Sequence, residues 1–237
     1  KEAHDMQIHG LQKMTLLDFP GRVACTVFLG GCDLRCPFCH NFELADGSAP
    51  PVMDDQALLA FLKKRRGLLD GVAVTGGEPC LRPDLPELLR AIRELGFAVK
   101  LDTNGFRPGM LRRLMEDGLV DYVAMDIKNS PAKYAVTSGV RELDLRPLQE
   151  SITMLVGGSI DYEFRTTVVR EFHEAADFEE IGQMILGARR YFLQCFTDRD
   201  SVPFGNLHAP SVESLRRYAE IAGRWVDDVR LRGVDEK

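Results

Sequence analysis

An α/β fold with parallel strands is predicted by three observations. Short β-branched runs alternate with amphipathic segments along the chain. The runs are almost continuously apolar, as strands buried on both faces are. The polar residues that stand out fall just after the runs end, where a parallel sheet gathers its ligand sites. The 237 residues suit one large α/β domain or two small ones. About six strand–helix repeats joined by right-handed crossovers make either an open doubly wound sheet or a partial barrel.

The elements follow in order. Strands are expected at residues 23–29, 72–75, 98–102, 122–127, 162–169, 191–196 and 226–231. The clearest helix is 84–95. Asp84 is placed to cap it, Glu87 stands three residues on, and Pro86 lies in the first turn. Leu85, Leu88, Leu89, Ile92 and Leu95 form one apolar stripe that Gly96 ends. Segments 54–66, 108–116, 148–155, 178–190 and 211–222 read the same way. No linker, repeat or low-complexity tract divides the chain, so residues 1–237 are taken as a single domain. Its core covers about 8–196, with a C-terminal helix and strand at about 211–231 packing on it. The stretch "NFELADGSAP" reads as a polar surface loop.

Composition narrows the function. The chain is 45% hydrophobic and 28% charged, with a net charge of -6 and a pI near 5.5, which argues against nucleic acid as a partner. The basic run Lys63-Lys64-Arg65-Arg66 is read as a solvated helix face. No apolar signal region and no membrane-spanning window stand out, so a cytoplasmic location is expected. Thiols stay reduced there, and clustered cysteines then suggest a metal before a disulfide.

Three of the six cysteines sit in "GGCDLRCPFCHN": Cys32, Cys36 and Cys39, followed by His40. The spacing C-x3-C-x2-C admits three occupants. The embedded C-x-x-C-H matches haem attachment, but an α/β chain is a poor cytochrome. Zinc would take all four side chains, yet adjacent Cys39 and His40 can rarely both point at one ion, and no second pair of ligands accompanies them. A [4Fe–4S] cluster on three thiolates leaves one iron open for substrate. Glycines at 30 and 31 suit a loop that must approach a bulky group closely. Cys25, Cys80 and Cys195 are isolated and read as small buried hydrophobes.

The C-x3-C-x2-C loop after a first strand, with an aromatic before its last cysteine, resembles the radical S-adenosylmethionine (SAM) superfamily. Gly76-Gly77-Glu78 after a later strand is similar to that family's GGE motif. "LLDFPGRVACTVFLGGCDLRCPFCHN", "TGGEP", "LDTNG" and "MDIK" together resemble the glycyl-radical-enzyme activases. The likeness runs from about residue 8 to 196. It is nearest to anaerobic ribonucleoside-triphosphate reductase activating proteins, with pyruvate formate-lyase-activating enzymes as cousins.

The resemblance implies a (βα)6 partial, open TIM-type barrel. It implies a [4Fe–4S] cluster on Cys32, Cys36 and Cys39, whose open iron is chelated by the amino and carboxylate groups of SAM. Reductive cleavage of SAM then gives a deoxyadenosyl radical, which takes a hydrogen atom from a glycine of a partner enzyme. Phe38 and His40 match positions that contact adenine, and Gly76, Gly77 and Glu78 match those receiving the methionine amino group. Asp102, Thr103, Met125 and Asp126 match positions that hold a monovalent cation, Na+ or K+. Asn104 lies with Asp102 among the SAM-binding positions, and Lys128 and Arg165 suit SAM carboxylate or ribose oxygens. Implied partners are anaerobic ribonucleotide reductase and a flavodoxin or ferredoxin donor. Some activases carry a histidine near the end of the sixth strand. Here "LQCFTD" has none, leaving Gln194 or Phe196 as substitutes and His173 in an earlier loop. A radical SAM enzyme acting on a small molecule or peptide, an activase of another glycyl radical enzyme, and a metal-stabilised binding protein stay open as alternatives.

Overall fold

In the computed structural model, which describes residues 6–234, strand and helix alternate along the chain. First come β1 (Gln7–Ile8), β2 (Gly10–Thr15), β3 (Ala24–Leu29), α1 (Phe42–Asp46), β4 (Met53–Asp54) and α2 (Asp55–Lys63). Then follow β5 (Gly71–Gly76), α3 (Leu85–Glu94), β6 (Ala98–Thr103), α4 (Pro108–Glu116), β7 (Tyr122–Asp126) and α5 (Tyr134–Ser138). The chain continues with α6 (Arg146–Gly157), β8 (Asp161–Val168), α7 (Ala175–Met184), β9 (Arg190–Cys195), α8 (Val212–Ala222) and β10 (Asp228–Arg232). The class is α/β with mainly parallel strands, as predicted. Among the described residues no helix is long and apolar enough to cross a membrane.

Contacts group the chain into two units. One holds the residues up to Asp33, Glu43–Thr103 and Arg107–Val123; the other holds Leu34–Phe42, Asn104–Phe106 and the residues from Ala124 on.

In the first unit β3, β5 and β6 are parallel, and β2 lies antiparallel on the outer side of β3. Residues 71–74 of β5 are all buried. This lack of alternation is what a parallel strand covered on both faces produces. Leu85, Leu88, Leu89 and Ile92 of α3 and Leu58 and Leu62 of α2 bury their apolar stripes. Gly71 lets Phe19 close on the start of β5, since an added Cβ would stand 2.9 Å from the Phe19 ring.

In the second unit β8, β9 and β10 are parallel, with Arg165 in register with Phe192 and Thr167 with Gln194. The C-terminal pair thus continues the strand–helix pattern: α8 packs on α7 and β10 adds a strand beside β9. No residue of β10 is fully buried. An ion pair latches it instead. Arg232 donates to both carboxylate oxygens of Glu163, at 2.7 and 2.8 Å, and its guanidinium lies 3.5 Å from the centre of the Phe192 ring. Glu163 is only 1% exposed, so this bidentate contact supplies the partner a buried carboxylate needs.

Several expectations are corrected. Asp84 makes no capping bond to α3; its carboxylate pairs with Arg82 at 3.0 Å. The stretch taken as a loop after the cysteines holds the short α1. The helix expected at 178–190 starts at Ala175, where Glu174 N–H donates to Asp177, and ends at Met184, before Gly187 turns at φ +83°. Cys25 and Cys80 are buried as expected, but Cys195 is half-buried.

Candidate functional site

The loop leaving β3 is built around close backbone approach. Gly31 takes φ +91° and Gly76 takes φ +121°. A Cβ on Gly77 would stand 2.1 Å from the Gly31 carbonyl oxygen, and one on Gly76 would stand 2.2 Å from that of Leu29. Through this contact the Gly77 N–H donates to Leu29 O at 2.9 Å and the Glu78 N–H to Gly31 O at 2.7 Å. Gly-Gly is therefore required because two strand-end backbones cross there. Cys32 follows directly, with its N–H bonded to Ala45 O of α1 at 3.2 Å.

Glu78 is 1% exposed. Its Oε1 accepts from the Cys80 N–H at 2.9 Å and from the Thr103 hydroxyl at 2.8 Å. The carboxylate thus caps the turn after β5 and ties β6 to it. Asp102 is half-buried and ion-paired with Lys100, itself only 2% exposed. Lys100 and Asp102 share one face of β6 because the strand repeats every two residues.

The second unit carries Cys36, Phe38, Cys39 and His40. Cys36 is 8% exposed and Cys39 half-buried, and the Cys39 N–H donates to Cys36 O at 3.1 Å in a tight turn. Burial pushes the Cys36 thiol up to about 11, against the lowering effect of Lys128, and raises Cys39 as well. Phe38 packs on Phe172 with ring centres 5.9 Å apart. The His40 ring stacks on Phe196 at 5.6 Å and 6°, and its Nε2–H donates to Thr197 O at 2.7 Å.

Asp126, at the end of β7, receives the Lys128 ammonium at 2.9 Å and the Arg165 guanidinium at 2.9 Å. Burial alone would raise its carboxyl, but Arg165 and Lys128 outweigh it and hold the group at about 2. Lys128 is likewise held well above the usual lysine value: Asp126, with help from Cys36, overcomes the desolvation that would lower it. Met125 is fully buried under Gly105, where an added Cβ would meet its Cε at 2.4 Å. Asn104 is buried, and its Oδ1 accepts from the Phe106 N–H at 3.0 Å.

Both ring nitrogens of His173 bond to backbone. It is 4% exposed, its Nδ1 accepts from the Val169 N–H at 3.1 Å, and its Nε2–H donates to Lys128 O at 2.9 Å. The end of the sixth strand meets His40 through Phe196 and Thr197, a contact that sequence reasoning missed; it had named Phe196 only as a substitute for a nucleoside-contacting histidine. Lys100 was missed altogether, although "KLD" places opposite charges two apart on one strand face.

None of the six cysteines is in a disulfide. Among the described residues no three His, Cys, Asp or Glu side chains converge on one point, the arrangement a single zinc ion asks for. Thiolates of a [4Fe–4S] cluster each bind a different iron and carry no such demand. Three cysteines on one loop, two of them in a tight turn, fit that donor set. Asp102 and Asp126 each already have a protein cation.

Comparison with known proteins adds the family. Residues 26–185 match the radical SAM superfamily. A protein of Methanocaldococcus jannaschii, whose name provisionally calls it a glycyl-radical enzyme activating enzyme, is 30% identical over 237 residues, covering 96% of both chains. The pyruvate formate-lyase-activating enzyme of Clostridium pasteurianum is 32% identical over 128 residues, 52% of each chain. The crystal structure of SuiB from Streptococcus suis shares the fold with a TM-score of 0.66 at 17% identity, over 88% of this chain and 48% of that one.

Proposed function

The chain belongs to the radical SAM superfamily, and on that premise we propose that it is a glycyl-radical-enzyme activase whose partner is anaerobic ribonucleoside-triphosphate reductase. The observation that carries the reading is the bonding of the cysteine loop to the Gly-Gly-Glu strand end. Glu78 N–H to Gly31 O and Gly77 N–H to Leu29 O join the two motifs that such an enzyme needs together. When bound, a [4Fe–4S] cluster supplies the electron that breaks a C–S bond of SAM, giving methionine and a deoxyadenosyl radical that takes a hydrogen atom from the partner's glycine.

The protein's own share is to hold and orient. Cys32, Cys36 and Cys39 would hold the cluster. The crossing at Gly76 and Gly77 brings bare backbone to the site where the methionine end of SAM would lie. Phe38 and the His40–Phe196 stack would present apolar ring surface to the nucleoside. Lys128 and Arg165 would bind SAM oxygens while sharing Asp126. Lys100 balances Asp102, and Lys128 with Arg165 balances Asp126, so the reading includes no Na+ or K+. A flavodoxin or ferredoxin in the cytoplasm would deliver the electron.

Anaerobic reconstitution tests this. About four irons per chain, with reductive cleavage of SAM to deoxyadenosine, are expected. Cys32→Ala, Cys36→Ala and Cys39→Ala should each abolish both, while Cys25→Ala should not. A colourless zinc protein that never cleaves SAM would end the proposal. A glycyl-radical doublet in the EPR spectrum of the reductase identifies the partner. SAM cleavage without that doublet would shift the reading to a small-molecule or peptide substrate.

A further inference from the structure

The five-residue helix α5 lies in no motif, yet it touches both the cysteine loop and the loop after β7. A helix this short does not form on its own propensity, so its packing must hold it. Tyr134, Thr137 and Ser138 are buried. Thr137 Oγ1 donates to Lys133 O at 3.0 Å and Ser138 Oγ to Ala135 O at 3.2 Å, so the buried hydroxyls are satisfied within the helix.

At its C-terminal end the helix grips residue 35, the one before Cys36. The Arg35 N–H donates to Ser138 O at 2.8 Å. The next peptide is held by contact. Gly139 takes φ +70°, and a Cβ there would stand 2.1 Å from Arg35 O and 2.6 Å from Arg35 C. Backbone cannot yield as a flexible side chain can, so only glycine fits. At its other end, Tyr134 Oη accepts from the Lys128 N–H at 3.2 Å, and the Tyr134 ring packs edge-on against Phe106 at 5.8 Å. His173 fastens the Lys128 carbonyl from the other side.

We propose that α5 is a brace and that Gly139 and Tyr134 are positioning residues, which set the spacing between the Cys36–Cys39 turn and the Asp126–Lys128–Arg165 ion-pair group. This rests on the functional reading only in assigning a cluster to the cysteines. The consequence is electrostatic. A fixed ammonium near the cluster thiolates favours the more negative, reduced state, so the brace tunes the potential as well as the grip. If the brace loosens, Lys128 is no longer held at that spacing and the cluster becomes harder to reduce.

The test uses reconstituted full-length protein and two readouts besides activity: iron loss to a chelator and the midpoint potential by EPR-monitored titration. Gly139→Ala is compared with Gly118→Ala, which bears the same kind of backbone strain at φ +63° but has nothing within 4 Å of the added Cβ. Gly139→Ala should lose iron at least roughly tenfold faster than both wild type and Gly118→Ala. Tyr134→Phe keeps the ring packing and removes only the acceptor; it should fold normally and shift the midpoint potential to a more negative value. The proposal is overturned if Gly139→Ala loses iron no faster than Gly118→Ala and Tyr134→Phe leaves the potential unmoved. If wild type itself takes up no cluster, the functional reading has failed, which is a separate result.

Discussion

Asp126→Asn tests the charge arrangement beside the cysteines. The substitution keeps the side-chain shape and removes a carboxylate that Lys128 and Arg165 share. Their side chains are only 18% and 13% exposed, so solvent compensates them poorly. The size of the effect follows from Asp126 itself, whose carboxyl moves from 3.8 to about 2 in the folded protein. At about 1.4 kcal/mol per pH unit, the charged form favours folding by on the order of 2 kcal/mol at neutral pH. Removing the carboxylate that both buried cations share points to a loss of similar size or somewhat more.

The sign with pH is fixed because the folded value is the lower one. The contribution is fully present above the unfolded value and fades as pH falls through about 4 toward 2. In urea unfolding of the cluster-free protein, Asp126→Asn should lower the midpoint by roughly 1 M at pH 7. The gap between wild type and variant should shrink to roughly half by pH 3. A variant within about 0.5 kcal/mol of wild type at pH 7, or a gap that does not change with pH, would refute the ion-pair account.

Two further outcomes follow from close contacts. Gly77→Ala forces a Cβ to within 2.1 Å of Gly31 O, where backbone lies on both sides. A cost of about 3 kcal/mol is expected, read as a fall of roughly 10 °C in Tm by calorimetry; a fall under about 2 °C would show that the crossing yields. His40→Ala removes the ring stacked on Phe196 and the bond to Thr197 O. Titration calorimetry of the reconstituted protein should show SAM binding weakened about tenfold with Tm little changed, and an unchanged Kd would remove His40 from the site.

Much of the fold was legible because apolar runs and helix stripes are strong local signals. The strands ending at Leu29, Gly76 and Thr103 lie within a residue or two of their expected ends. The misses have local causes. β2 has only its last residue buried, so an exposed outer strand showed no apolar run. α5 is too short for periodicity to mark. Asp84 precedes the helix in a turn conformation, φ -88° and ψ -1°, in place of the extended one a capping residue usually takes. The cysteines and Gly-Gly-Glu were legible as motifs, because close backbone approach admits few residue types and three thiols within eight residues stand out from the rest of the chain. The partner of each carboxylate was not, since long-range pairs such as Arg165 with Asp126 and Arg232 with Glu163 depend on strand register, which one sequence does not display.

One regularity could have been read and explains how the fold tolerates its buried charges. Lys100 with Asp102 in β6, and Asp126 at the end of β7 with Lys128 just beyond it, are opposite charges two residues apart. In β6 the spacing places both on one face, and Lys128 reaches Asp126 at 2.9 Å, so each strand end brings its own counter-charge. That lowers the desolvation cost before any contact with a neighbouring strand forms, and the neighbour then adds only the finishing bond, as Arg165 does for Asp126. A strand end of this kind can present a carboxylate or an ammonium to a charged ligand without leaving either unpaired when the ligand departs. Asp102 offers the independent check. Asp102→Asn should destabilise the protein more than Lys100→Met does, because the Lys100 side chain is 3% exposed and that of Asp102 is 19% exposed: Asp102→Asn takes the counter-charge from a buried ammonium, whereas Lys100→Met puts an apolar side chain in the buried position and leaves a carboxylate that solvent partly reaches. Equal costs by urea unfolding would mean that the two charges are solvated separately and that the strand-end pairing does not operate.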